Sequence, residues 1–185
     1  PRAAEVLEVI ARESELLVGA GTVTRPGQVG VALDAGASFI VSPGLSIEVV
    51  KECARLAVPV IPGVSSPTEI MAAIDLGLSL LKFFPAEQLG GVGMLRALSP
   101  VFPDITFVPT GGIGLYNMSD YLELPSVAAV GGSWMFAKDA IARGDQAALT
   151  SLIESARRAA GAVSTAGGDG VARGAMVRRL SAHPA

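Results

Sequence analysis

Six short β-branched or apolar runs recur along this chain at nearly constant spacing, over residues 16–19, 37–41, 58–61, 80–84, 105–108 and 127–130. Their first residues lie 21, 21, 22, 25 and 22 positions apart. That interval holds one strand, one helix and two short loops. The stretches between the runs carry helical patterns: Ile47, Val50, Ala54 and Leu56 can share one face, and Ile70, Ala73, Ile74 and Gly77 another. Ser66-Pro67-Thr68-Glu69 reads as a capping box with proline at the first helical position. Two helix-to-strand joints, LDAGASFIVSPG and IDLGLSLLKFFPA, nearly repeat each other. Each places a glycine, Gly36 or Gly77, where a helix terminates in the left-handed conformation.

Strands that alternate with helices build a parallel sheet, because every crossover must return the chain to the same edge. The runs are apolar at consecutive positions, as strands covered on both faces are. A closed barrel and an open doubly wound sheet both meet these conditions. The turns after the runs favour the barrel: GAGT, SPGL, PGVS, FPAE, TGGI and GGSW are all small and Gly- or Pro-rich, as if lining one rim. The expected fold is therefore α/β, a (β/α)8 barrel over residues 1–163. Only six strand–helix units are visible and the chain opens at Pro1 inside a helical pattern, so two N-terminal strands are expected to be absent from this sequence. Residues 164–185 have few large apolar side chains before Met176 and read as a flexible extension.

Composition narrows the function. Of 185 residues, 50% are apolar, yet no uninterrupted apolar run reaches the roughly 20 residues of a membrane span. A net charge of −3 offers no footprint for nucleic acid. Cys53 is the sole cysteine and His183 the sole histidine. No internal disulfide, cysteine-clustered metal site or histidine triad can be built from them. The expectations are a cytoplasmic protein with no metal, no cofactor, no membrane partner and no nucleic acid partner.

Lys82 is the candidate for chemistry, because it stands inside SLLKFFP, a strand that otherwise reads as buried. An ammonium in apolar surroundings is unfavourable, so burial lowers the lysine pKa and leaves an amine able to attack a ketone. The resulting iminium is an electron sink for breaking a neighbouring carbon–carbon bond. From this segment alone, a lysine snorkelling from the strand end or paired with Glu87 accounts for the pattern equally well. TGGI and GGSW follow the last two runs, where barrels commonly hold phosphate with backbone N–H groups and a helix N-terminus. Glycine permits close approach there, and Ser133 adds a hydroxyl.

With these residues in hand, the chain resembles the KDPG/KHG aldolase family from about Glu5 to Gly161. The segments VGAGTV, SPGL, KFFPAE, PTGGI and GGSW stand in that family's order and spacing. The resemblance implies a metal-free class I aldolase that cleaves 2-keto-3-deoxy-6-phosphogluconate (KDPG) to pyruvate and glyceraldehyde 3-phosphate, with 4-hydroxy-2-oxoglutarate (KHG) as a further substrate. Lys82 matches the Schiff-base lysine. Thr22 and Pro43 match positions around the pyruvyl group, Phe84 packs nearby, and Thr110 matches the threonine of stereochemical control. Gly111, Gly112, Gly132 and Ser133 match the phosphate-binding positions. A homotrimer is the family expectation. The family's glutamate base and carboxylate-binding arginine belong upstream of Pro1, whereas Arg2, Glu5 and Glu8 fall in the helix that follows. The chain as it stands is therefore expected to be impaired. Two other functions fit the same residues: a phosphate-binding isomerase or synthase barrel with Lys82 as a fixed cation, and a non-catalytic truncated barrel.

Overall fold

A computed structural model describes residues 2–166. They group into two compact units, one extending to Phe84 and the other beginning at Pro85.

The first unit contains α1 (Ala3–Glu13), β1 (Gly19–Ala20), α2 (Gly27–Asp34), β2 (Phe39–Val41), α3 (Ile47–Arg55), β3 (Val60–Ile61), β4 (Gly63–Val64), α4 (Pro67–Asp75) and β5 (Leu80–Phe83). Strands β1, β2 and β3 pair in parallel, with Gly19 beside Phe39 and Ile40 beside both Ala20 and Val60. The glycine at position 19 is a packing requirement, because a Cβ there would lie 2.3 Å from the Phe39 ring. Helices α2 and α3 supply Val29, Val49 and Cys53 to a core around Ile40, all four fully buried. Burying a side chain of this size stabilises the fold by about 1.5–3 kcal/mol.

Three expectations shift in this unit. The first run forms a strand only at its end, in Gly19–Ala20, while Leu16 and Leu17 precede the pairing and stay exposed. The third run pairs only at Val60–Ile61, and a second strand, Gly63–Val64, forms in the segment expected to be a turn, the two separated at Pro62, which has no N–H to continue the ladder. Strand β3 pairs with β2 and β4 with β5, in a register of Gly63 beside Lys82 and Val64 beside Phe83. The buried ridge of α3 is Val49, Val50 and Cys53, not Ile47 and Ala54, since the Ser46 cap fixes the start of the helix.

The capping box of α4 forms with one change. Ser66 Oγ accepts the Glu69 N–H at 3.3 Å, but the Glu69 carboxylate reaches back past the cap to the N–H and hydroxyl of Ser65, at 2.6 and 2.7 Å. Burial pushes this carboxyl up, and the hydrogen bonds from Ser65 and Ser66 outweigh it, leaving the pKa below the ordinary value. Gly36 and Gly77 take φ of +89° and +76°, as a helix terminus of this type requires.

The second unit contains a 3-10 turn (Glu87–Leu89), α5 (Gly91–Leu98), β6 (Thr106–Pro109), α6 (Met118–Leu122), α7 (Lys138–Arg143) and α8 (Gln146–Ala166). Its core includes Leu95, Phe107 and Tyr121, each fully buried. The expected strand at 127–130 does not form. Val127 and Gly131 make single parallel bridges to Phe107 and Thr110, and the small residues Ala128 and Ala129 between them extend no ladder.

The architecture is α/β with parallel strands. The strands form no closed barrel among the described residues. No helix there is long and apolar enough to cross a membrane. Residues 164–166 of the predicted extension close α8, and the rest of it, with Met176 and His183, lies outside the described residues.

Candidate active site

Alternation along β5 sends Leu81 and Phe83 to one face, where both are fully buried, and Lys82 to the other. The Lys82 side chain is partly buried, and that burial pulls its pKa below the ordinary lysine value. Nothing nearby compensates as a full charge would, for Lys82 enters none of the ion pairs among the described residues. Its Nζ stands 4.4 Å from the centroid of the Phe84 ring. The ring face favours an ammonium only modestly. The result is an amine that releases its proton more readily than a surface lysine.

Gly63, the register partner of Lys82, links it to the SPG turn. The Pro43 carbonyl passes so close that a Cβ on Gly63 would meet its oxygen at 2.1 Å. The turn itself is set by Ser42, a buried polar residue whose hydroxyl donates to the Gly44 carbonyl at 2.8 Å. Pro43, Gly63, Lys82 and Phe84 thus form one cluster at the ends of β2, β4 and β5. Thr22 stands further along, at the end of β1, exposed and with φ of +58°. That conformation costs a non-glycine residue about 1–2 kcal/mol, and such strain concentrates at functional positions. Val23 anchors it by donating its N–H to Val41 O at 3.1 Å.

The second unit places the glycine turns. Thr110 and Gly131 are bridged in parallel, and the Thr110 side chain lies over Gly131, where a Cβ would meet Oγ1 at 2.7 Å. Gly111 and Gly112 have φ of +103° and +75°. The carbonyls of the turn are all bonded: Thr110 O accepts from Ala86 N, Gly111 O from Glu87 N, and Gly112 O from Tyr116 Oη and Asn117 Nδ2. Among the described residues, the N–H groups of Gly111 and Gly112 donate to no protein acceptor. Unpartnered amides in a glycine turn suit an anion. The expected helix N-terminus does not complete either turn, because the first helical residues afterwards are Met118 and Lys138. Ser133 is exposed, and the Trp134 ring lies against Gly132, with its indole Nε1 buried and unpartnered.

Three contributors had no strong mark in the sequence. Ser42 precedes a Pro-Gly turn, a setting in which a serine hydroxyl often bonds the local backbone. Gly63 is a lone glycine in a strand, which can mark the close approach of another chain segment. Tyr121 meets Glu87 across 34 positions, beyond any local pattern. Among the described residues, no three His, Cys, Asp or Glu side chains are grouped to hold a metal ion.

Comparison with known proteins gives a consistent result. A family model described as KDPG and KHG aldolase matches residues 1–152. The 2-dehydro-3-deoxy-phosphogluconate aldolase of Treponema pallidum is 48% identical over 151 residues, covering 81% of this chain and 72% of the relative. The enzyme of the same name from Dickeya dadantii is 46% identical over 155 residues, covering 83% and 73%. Among solved structures, KDPG aldolase from Legionella pneumophila, with pyruvate captured as a covalent carbinolamine, superimposes with a TM-score of 0.79. It is 44% identical and is matched over 82% of this chain and 74% of its own. Fold, motif order and sequence identity agree that this chain belongs to the KDPG/KHG aldolase family of carbon–carbon lyases.

Proposed function

We propose that the protein is a class I aldolase acting on KDPG, with Lys82 as its Schiff-base residue. The observation that carries this reading is an amine kept partly out of water at the end of β5, with a lowered pKa and no carboxylate partner among the described residues. A carbinolamine is what such an amine forms with a keto acid, and the Legionella pneumophila relative holds pyruvate in that state.

Neutral Lys82 Nζ attacks the C2 carbonyl, giving a carbinolamine that loses water to become an iminium. A base takes the C4 hydroxyl proton. The C3–C4 bond breaks, its electron pair moves into the iminium to form an enamine, and glyceraldehyde 3-phosphate leaves. Protonation of the enamine at C3 and addition of water then release pyruvate and the free amine. General acid–base assistance typically contributes about 10²–10⁴-fold to such proton transfers.

In this reading Thr22 and Pro43 border the pyruvyl end, Phe84 covers the amine, and Thr110 discriminates configuration at C4. The free amides of Gly111 and Gly112, with Gly132 and Ser133, receive the phosphate. Parallel pairing and the strand–helix period support a complete (β/α)8 barrel as the working fold. A homotrimer in the cytoplasm belongs to the same proposal. KHG, which lacks the phosphate, is a second substrate that uses only the lysine end.

Borohydride reduction in the presence of pyruvate tests the assignment. Wild type is expected to gain the mass of a reduced pyruvyl adduct on Lys82, and Lys82→Ala none. A wild-type protein that traps nothing would leave Lys82 as a fixed cation in another kind of phosphate-binding enzyme.

A further inference from the structure

Within the second unit, the Gly111–Gly112 turn packs on the side chain of Glu87. Gly112 packs against Glu87, where an added Cβ would lie 2.6 Å from Glu87 Cγ. Glu87 also donates its own N–H to Gly111 O at 3.2 Å. Its carboxylate in turn accepts a short hydrogen bond from the hydroxyl of fully buried Tyr121. Gly91, at the start of α5, closes the contact: a Cβ there would stand 3.0 Å from both Glu87 Oε1 and Tyr121 Oη. Gly91 and Gly112 therefore leave room for one carboxylate–phenol pair packed against the turn.

We propose that the Glu87–Tyr121 hydrogen bond is a specificity latch. By pressing Glu87 against Gly112, it holds the free amides of the turn in the arrangement that prefers phosphorylated over unphosphorylated keto acids. Glu87 and Tyr121 are positioning residues, acting through Gly112, and the inference rests on the phosphate reading of that turn. Burial of the phenol, followed by the Glu87 hydrogen bond and charge, pushes the Tyr121 pKa up, so the hydroxyl stays a donor throughout the working pH range.

The test compares half-saturation of borohydride trapping with two probes, KDPG and pyruvate, in wild type, Tyr121→Phe, Glu87→Ala and Glu87→Gln. Loss of one buried hydrogen bond predicts that Tyr121→Phe and Glu87→Ala raise half-saturation for KDPG about 5–10-fold. The trapping rate at saturation and the half-saturation for pyruvate are expected to stay at wild-type values. Glu87→Gln keeps an oxygen that accepts from Tyr121 and is expected to behave as wild type. Glu87 is solvent-exposed, so Glu87→Ala serves even where Tyr121→Phe fails to fold. Equal losses for both probes, or no loss for KDPG in either disrupting variant, overturn the latch. Inorganic phosphate separates the two ideas: if it does not compete with KDPG in wild type, the phosphate reading fails and the latch falls with it. If it competes equally in wild type and Tyr121→Phe, only the latch fails.

Discussion

Lys82 Nζ stands 4.4 Å from the centre of the Phe84 ring, two positions along the same chain segment. Burial lowers the lysine pKa while the ring face works weakly against it, and burial prevails. Replacing Phe84 with leucine keeps an apolar cover and removes the ring. The charged form loses about 0.5–1 kcal/mol of support, so the rising limb of the trapping rate with pyruvate moves about half a pH unit lower. A limb that moves upward would mean that water entering beside the amine outweighs loss of the ring.

The same burial makes Lys82 a liability for stability. Its folded pKa lies below the unfolded value of about 10.4, so between those two pH values the unfolded chain binds more protons and stability rises with pH. Below both, the native state bears the full penalty of a desolvated ammonium. Lys82→Met is expected to raise Tm at pH 7, with the gain shrinking as pH approaches about 10.4. A gain independent of pH, measured by thermal scans across that range, would contradict this account.

Thr22 offers a separation of strain from contact. Thr22→Ala and Thr22→Gly both remove the hydroxyl, and both are expected to weaken pyruvate saturation to the same degree. Only glycine relieves the positive φ, so the glycine variant should be the more stable of the two by about 1 kcal/mol. Chemical denaturation of the pair measures the difference directly.

At the start of α4 the pH dependence has the opposite sense to that of Lys82. The hydrogen bonds from Ser65 and Ser66 hold the Glu69 pKa below its unfolded value. Their contribution is complete above the unfolded pKa of about 4.3 and is lost as pH falls through the lower folded value. The Tm difference between wild type and Glu69→Gln should therefore be constant above about pH 5.5 and narrow under acid conditions.

Those four positions show what the sequence made legible. Lys82 declared itself as a charge inside an apolar run, and the Ser66–Glu69 box and Gly36 by residue type at fixed offsets, because each rests on physics within one turn of chain. Strands 39–41 and 80–83 were readable for the same reason, their side chains being β-branched, aromatic or large. The run at 127–130 misled because small residues carry hydropathy but little to pair or pack. The division at Pro62 depended on one missing N–H, and the α3 face on where Ser46 capped it. The site was less legible than the fold. The support of Gly112 by Glu87 and Tyr121 joins residues 34 positions apart and leaves no periodic trace.

Cys53 has a practical consequence. It is fully buried in α3, and burial, aided by the neighbouring Glu52 charge, pushes its thiol pKa up to about 11. Since it is the one cysteine in the sequence, thiol-specific alkylation mapped to Cys53 reports a transient opening around β2 and α3. The molecule thus carries an intrinsic clock for the breathing of its amine-bearing half, readable without introducing a probe.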